Sequence, residues 1–131
     1  MKIAKTVFLA ALLTVGLACG YSSKATTAPT AGTMPNITQL APASMSSGGA
    51  AFTLTVNGTS FAGNATINWN GASQTTTSVA TGTQLMTTIP ATAIATAGTV
   101  SVTVTNPGTA GGMYGGGTLA ETSNSMTFTI N

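Results

Sequence analysis

The 131-residue sequence predicts an all-β protein, with one antiparallel sandwich of about seven short strands behind an export signal and a linker. Apolar and hydroxylated residues alternate along several stretches, as is typical of strands with one buried face. Turn signals rich in Asn, Gly and Pro separate these stretches at intervals of roughly 8 to 15 residues. Seven strands at this spacing favour two packed sheets.

The strands follow from the alternation, element by element. In Phe52-Thr-Leu-Thr-Val56 the apolar side chains share one face and the threonines share the other, where β-branched residues suit a pleated surface. Asn70-Gly71 predicts a type I′ hairpin, and 91–97 is the one stretch that could form a short helical turn. Gly58 is expected to adopt a positive φ in a turn. The predicted strands are 36–41, 51–57, 65–70, 73–79, 84–89, 99–105 and 125–130.

The inward positions of these strands give a countable core. Trp69 alternates with Ile67, which predicts that the indole packs inside rather than stacking on a sugar. At roughly 1.5–3 kcal/mol for each fully buried side chain, the predicted core can offset chain entropy without a disulfide. Its sixteen members are Ile37, Leu40, Phe52, Leu54, Val56, Phe61, Ile67, Trp69, Leu85, Ile89, Val100, Val102, Val104, Met126, Phe128 and Ile130.

The N-terminus is typical of a bacterial export signal, predicted over residues 1–18. Lys2 and Lys5 precede an apolar run of 13 residues, Thr6 to Ala18. A membrane-spanning helix needs about 20 residues, whereas a run of this length suits a signal peptide. The alternative, a buried core helix, would place an all-apolar helix beside strands.

Cys19, the only cysteine, follows this run directly. Leu17-Ala18-Cys19-Gly20 resembles a bacterial lipobox, in which cleavage precedes the cysteine and lipid is attached to its sulfur. The resemblance departs at Gly16, where a leucine-like residue is usual. We expect lipidation of Cys19, and the alternative is ordinary secretion. The acyl chains that the resemblance implies would anchor the protein stably, since each buried methylene contributes about 0.8 kcal/mol.

Composition divides the remaining chain into a tether and a domain. Residues 19–34 are small and hydroxylated without periodicity, which predicts a flexible linker, and 35–131 forms the sandwich domain. After cleavage before Cys19, Lys24 and Glu121 would be the only charged side chains. Such a surface cannot steer an ionic partner.

The same composition excludes most chemistry. Charged residues make up 3% of the chain, and histidine, arginine and aspartate are absent. No base can activate a serine or threonine, so we expect neither an enzyme nor a cofactor. Glu121 alone is a poor calcium ligand, and Gly115 to Gly117 lack the lysine of a phosphate loop, so no metal or phosphate site is expected.

Six segments occur in a defined order along the chain. They are PNITQLAP (35–42), FTLTVNGTSF (52–61), INWNG (67–71), TQLMTTIP (83–90), GTVSVTVTNP (98–107) and SMTFTI (125–130). This ordered set resembles the IPT/TIG family, whose immunoglobulin-like modules occur in plexins, transcription factors and bacterial surface proteins. The resemblance covers residues 35–131, and no single motif carries it. It implies a non-catalytic module used in binding, adhesion or structural support. DNA-binding members use basic loops that have no counterpart here, so no nucleic acid is expected.

The sequence departs from the family in the segment 107–124, which is longer than usual and rich in glycine. Met113 and Tyr114 within it are the candidate ligand contacts, because tyrosine provides rigid amphipathic contact area. The alternative is that Tyr114 folds back over the end of the sandwich. We expect a protein or glycan of the cell envelope as partner, and contact with a membrane through the lipid anchor only. Two other hypotheses stay open: a secreted, self-assembling envelope subunit and a carbohydrate-binding module that uses this loop.

Overall fold

A computed structural model describes residues 27–131. The predicted signal peptide, Cys19 and the first part of the predicted linker lie outside the described residues. Within residues 27–131, none of the helical structure is long and apolar enough to cross a bilayer.

The described chain folds into two sheets, as the alternation predicts. The strands are β1 (Asn36–Ala41), β2 (Ser44–Met45), β3 (Phe52–Thr59), β4 (Thr66–Trp69), β5 (Ala72–Ser73), β6 (Thr76–Ala80), β7 (Gln84–Ile89), β8 (Gly98–Asn106), β9 (Glu121–Thr122) and β10 (Met126–Ile130). One sheet has the order β1-β3-β7-β6 and the other β2-β10-β8-β4-β5, with β9 on β8. All pairs are antiparallel except β2 with β10. This is the strand order of an immunoglobulin-like sandwich, which confirms the predicted architecture.

One predicted strand, 73–79, is in fact two strands in different sheets. Ala72 and Ser73 pair with β4, and the chain then crosses so that Thr76 pairs with Thr87 of β7. The crossing is fixed by Ile67, whose carbonyl oxygen accepts from the Gln74 amide at 2.8 Å and whose amide donates to the Thr76 hydroxyl at 2.9 Å. Periodicity alone does not detect a change of sheet, because the apolar pattern carries no information about the pairing partner.

Two turns show how local sequence sets the backbone. Asn70 and Gly71 have φ of 51° and 86°, so both central residues are left-handed, as a type I′ turn requires. The expectation for Gly58 was wrong, because Gly58 lies inside β3 and Ser60 takes the positive φ of 61° instead. Glycine is needed at 58 for close approach, since a Cβ there would overlap the Asn36 carbonyl oxygen and lie 2.5 Å from Cζ of Phe61.

The core lies between the two sheets and matches the predicted set closely. Phe52 from one sheet stacks on Phe128 from the other, with ring centroids 5.4 Å apart. Trp69 packs against Phe128 at 5.0 Å and is 6% exposed, which confirms the core prediction for the indole. Phe52, Val100 and Met126 are only partly buried, and Ile94 joins the core unpredicted, from a 3₁₀ helix over Ala91–Ile94.

Candidate functional site

The long loop, residues 107–124, folds as a narrow ladder at one end of the sandwich. Thr109 and Thr118 exchange two backbone hydrogen bonds, of 3.0 and 3.1 Å, and their hydroxyls lie 3.0 Å apart. Gly112 and Gly115 exchange a second pair, both of 3.0 Å, across a two-residue turn. That turn consists of Met113 and Tyr114, which we call the tip.

The segment before the first strand pairs with this loop. Residues 27–33, which we call the N-terminal segment, run parallel to the arm of the loop that follows the tip. The Thr27 amide donates to the Tyr114 carbonyl oxygen at 2.8 Å, and the Thr27 carbonyl oxygen accepts from the Gly116 amide at 2.7 Å. Thr30 makes an equivalent pair of bonds further along, of 3.0 and 2.8 Å. The last part of the predicted linker is therefore attached to the loop in this structure.

Three consecutive glycines make this close pairing possible. Gly115, Gly116 and Gly117 have φ of 96°, 92° and 89°, a region that side chains with a Cβ rarely adopt. A Cβ on Gly115 would also overlap the Thr27 carbonyl oxygen and lie 3.0 Å from its nitrogen. The glycine run therefore permits the close contact with the N-terminal segment. It resembles a phosphate loop only in composition.

The buried side chain of Asn106 fixes the base of the loop. Its Nδ2 donates to the carbonyl oxygens of Thr33 at 2.7 Å and Ser60 at 2.8 Å, and its Oδ1 accepts from the Ala62 amide at 2.9 Å. The residue is 5% exposed. From the sequence, Asn106 belongs only to a turn signal at the end of a strand. Its buried role was not predictable, because its three hydrogen-bond partners are 44 or more residues away along the chain.

Two polar side chains near β9 complete the attachment. Glu121 is half-buried, and its Oε1 accepts from the Gly32 amide at 3.3 Å. The Asn124 amide pairs with the backbone of Ile37, accepting from its N–H at 2.7 Å and donating to its carbonyl oxygen at 3.0 Å. Glu121 is the only acidic residue of the sequence, so a multi-carboxylate metal site cannot form around it.

The tip projects into solvent although its backbone is tied down. Met113 is 90% exposed and Tyr114 is 62% exposed. In this structure Tyr114 does not fold back over the end of the sandwich. The tip therefore offers a thioether and a phenol on a backbone that hydrogen bonds already hold, an arrangement suited to binding.

A concavity lies on the outer face of the four-stranded sheet. The sequence analysis did not predict it. It encloses about 510 Å³ beside β6 and β7, where Thr53, Thr77, Met86 and Thr88 line it together with Gln74. Its lining is hydroxylated and uncharged, so it could hydrogen-bond a neutral polar ligand. The alternating threonines of β3 were the available signal, but the position of β6 and β7 beside them was not predictable from the pattern.

The fold is that of an immunoglobulin-like sandwich, from which a loop with an uncharged tip projects. The IPT/TIG domain family matches residues 35–130, and the chain belongs to that family. IPT/TIG domains are immunoglobulin-like, non-enzymatic modules, common in binding and adhesion. No curated protein and no solved structure is significantly similar to the chain.

Proposed function

We propose that this chain is an exported binding module, held at the cell envelope by lipid on Cys19, that contacts a protein or glycan of the envelope through Met113 and Tyr114. The observation that carries the proposal is the tip itself. Its two side chains are 90% and 62% exposed, while Gly112 and Gly115 close the turn with two hydrogen bonds of 3.0 Å. A loop held in this way loses little conformational entropy on binding.

The proposal of a lipid anchor is supported by the order of features at the N-terminus. Two lysines, an apolar run and a single cysteine follow one another within 19 residues. An unpaired cysteine in an exported protein calls for a chemical role, and acylation supplies one. We expect the mature protein to sediment with membranes and its N-terminal peptide to carry the mass of acyl chains. A Cys19→Ser variant should be released, and an unmodified Cys19 in the exported protein would contradict the anchor.

Binding at the tip is tested with a paired substitution. Met113→Ser/Tyr114→Ser removes both exposed side chains without touching the backbone bonds that close the turn. Val79→Ser is the matched control, because Val79 is the one exposed large apolar residue of the described chain that lies outside both residues 27–34 and the loop 107–124. We expect retention on purified envelope glycans or envelope proteins to fall at least about tenfold for the tip variant only, as for an interface hot spot. Equal retention by both variants would remove the tip from the binding site.

Self-assembly through sheet edges has less support than binding at the tip. The edge strands β2 and β5 are two residues long, and β1 and β6 each carry a register shift. Short and bulged edges are the features that prevent strand addition between copies. The carbohydrate-binding alternative uses the same tip and predicts that Tyr114→Ala alone abolishes retention on a sugar.

A further inference from the structure

The exposed large apolar side chains of the described chain are concentrated in one region. Val79, on β6, is the exception at 50% exposed. The other four come from two stretches of sequence. One is residues 27–34 and the other is the long loop, and hydrogen bonds join the two stretches to each other. They are Met34 at 63%, Met113 at 90%, Tyr114 at 62% and Leu119 at 52%.

The same pairing sets the point at which the chain leaves the domain. Thr27, the first described residue, is bonded directly to the Tyr114 carbonyl oxygen, so the described chain begins beside the tip rather than at Pro35. From Cys19 to Thr27 the chain advances eight residues, which span at most about 28 Å when fully extended. From Cys19 to Pro35 the limit would be about 56 Å. An anchor on Cys19 therefore keeps the tip end of the domain close to the bilayer.

The chemistry of the tip suits the boundary between headgroups and acyl chains. Tyrosine is enriched at membrane interfaces because its ring is apolar and its hydroxyl stays hydrated. The methionine side chain is flexible and apolar. Residues 107–120 contain no charged side chain, and Glu121 faces the Gly32 amide, so burial of the tip requires no desolvation of an ion.

We propose that Met113 and Tyr114 insert into the interface of the lipid bilayer to which Cys19 is anchored, and so orient the sandwich on the membrane. The inference rests on the lipid anchor of the proposed function, and it gives the tip a lipid surface as its partner in place of the envelope protein or glycan. It replaces the expectation that only the lipid anchor contacts the membrane. Two side chains bind a bilayer weakly on their own, but the anchor makes their contact intramolecular and raises the effective lipid concentration.

The test imposes the anchor chemically, so that it does not depend on natural lipidation. The mature chain from Cys19 onward is coupled through its single cysteine to a maleimide-headed phospholipid in phosphatidylcholine vesicles. This zwitterionic lipid offers no net charge to Lys24. Tyr114→Trp is compared with Val79→Trp in vesicles whose lipids carry bromine near the headgroup or deep in the acyl chain. Trp69 is buried in both variants, so its constant signal cancels.

We expect the shallow bromines to quench the tryptophan at position 114 about threefold more than the one at 79, because aromatic side chains settle at the interface. Equal quenching at the two positions would overturn the proposal. Retention on an envelope glycan or protein with no quenching at position 114 would also overturn it, while leaving the proposed binding module intact. An unmodified Cys19 in the exported protein would contradict the anchor and, with it, the membrane contact proposed here, even where quenching is preserved in the coupled protein.

A second pair of variants tests the role of the N-terminal segment. Gly115→Ala and Gly116→Ala place a Cβ at nearly the same positive φ, but only the Cβ at 115 overlaps Thr27. Each is combined with Tyr114→Trp in the coupled protein. We expect Gly115→Ala to reduce the excess quenching at 114 about twofold or more, since the released segment lengthens the tether. Equal quenching in the two variants would show that the pairing does not position the tip.

Discussion

Asn106 shows how much a single side chain can contribute at a place where three segments meet. Its amide joins the end of β8 to the N-terminal segment and to the turn after β3, and all three partners are backbone groups. Each such hydrogen bond contributes about 0.5–1.5 kcal/mol to stability. The identity of this residue therefore matters more for stability than its place in a turn signal suggests.

Asn106→Ala is expected to lower the free energy of unfolding by about 3 kcal/mol, because it removes the three hydrogen bonds of a buried side chain, each worth roughly 1 kcal/mol. Asn106→Asp should cost at least as much, since a carboxylate cannot donate to the Thr33 and Ser60 carbonyl oxygens. The control is Asn68→Ala on the outer face of the six-stranded sheet, where water can replace its bonds to threonine hydroxyls. Urea denaturation measures all three, and equal costs for Asn106→Ala and Asn68→Ala would contradict the role assigned to Asn106.

Gly58 and Gly63 allow the same substitution to be compared at a crowded and an uncrowded position. Gly58→Ala should destabilise the domain by about 2 kcal/mol or more, because a Cβ there meets the Asn36 carbonyl and Phe61 within a packed region. Gly63→Ala should change stability by less than about 0.5 kcal/mol, since nothing lies within 4 Å of its Cβ and its φ is not positive. Thermal unfolding distinguishes the two, and similar midpoints would refute the close approach at Gly58.

The long loop and the N-terminal segment form one structural element, although most strands of the domain lie between them in the sequence. Neither has an apolar alternation that predicts pairing. Four of the bonds that join them are backbone to backbone, and two involve a side chain, that of Thr30 or Glu121. Glycine at 115 to 117 is the only local sign, and it identifies an unusual backbone without identifying the partner. The attachment of the segment could not be inferred for that reason.

Hydrogen exchange of the N-terminal segment tests this element directly. In Gly115→Ala the Thr27 and Thr30 amides, bonded at 2.8 and 3.0 Å, should exchange at least about tenfold faster than in Gly116→Ala. Amides of β8 should keep their protection in both variants, because the core does not depend on the segment. Identical exchange of the Thr27 and Thr30 amides in both variants would show that the contact at Gly115 is unimportant.

For the complete domain, the near absence of charge and the form of the sheet edges determine whether copies of the protein associate with each other. Net charge does little to keep such a chain dispersed. The edges instead provide the protection, since two are only two residues long and two are bulged. The outer faces are covered by hydroxyls and amides, such as the Asn68, Thr103 and Thr105 network on the six-stranded sheet.

We therefore expect the mature chain without acyl groups to sediment as a monomer across the micromolar range. The matched variant deletes Val79, which lies between Ser78 and Ala80 where the register of β6 against β7 shifts. This deletion should straighten the edge and promote concentration-dependent association. A concentration-dependent dimer of the unmodified chain would instead favour the self-assembling subunit.

Much of this protein follows from local pattern. The alternation of Phe52, Leu54 and Val56 with threonine identifies a strand and its buried face, and Asn70-Gly71 identifies a turn type, because period and dihedral preference are properties of neighbouring residues. The position of Trp69 in the core follows from the same information, and the sandwich class follows from the number and spacing of the strands. The candidate tip was also visible as an apolar pair in a glycine-rich loop.

Other features depend on residues brought together from distant parts of the chain. Four features require a partner at least seven residues away along the chain. They are the crossing between β5 and β6, the bonds of Asn106, the close approach at Gly58 and the attachment of Thr27 beside Tyr114. Their geometry exists only after the two sheets have packed, since backbone hydrogen bonds carry no side-chain signature of which strand they will join. The sequence thus specifies the strands and the exposed pair, while packing fixes where the tether leaves and which way the tip faces.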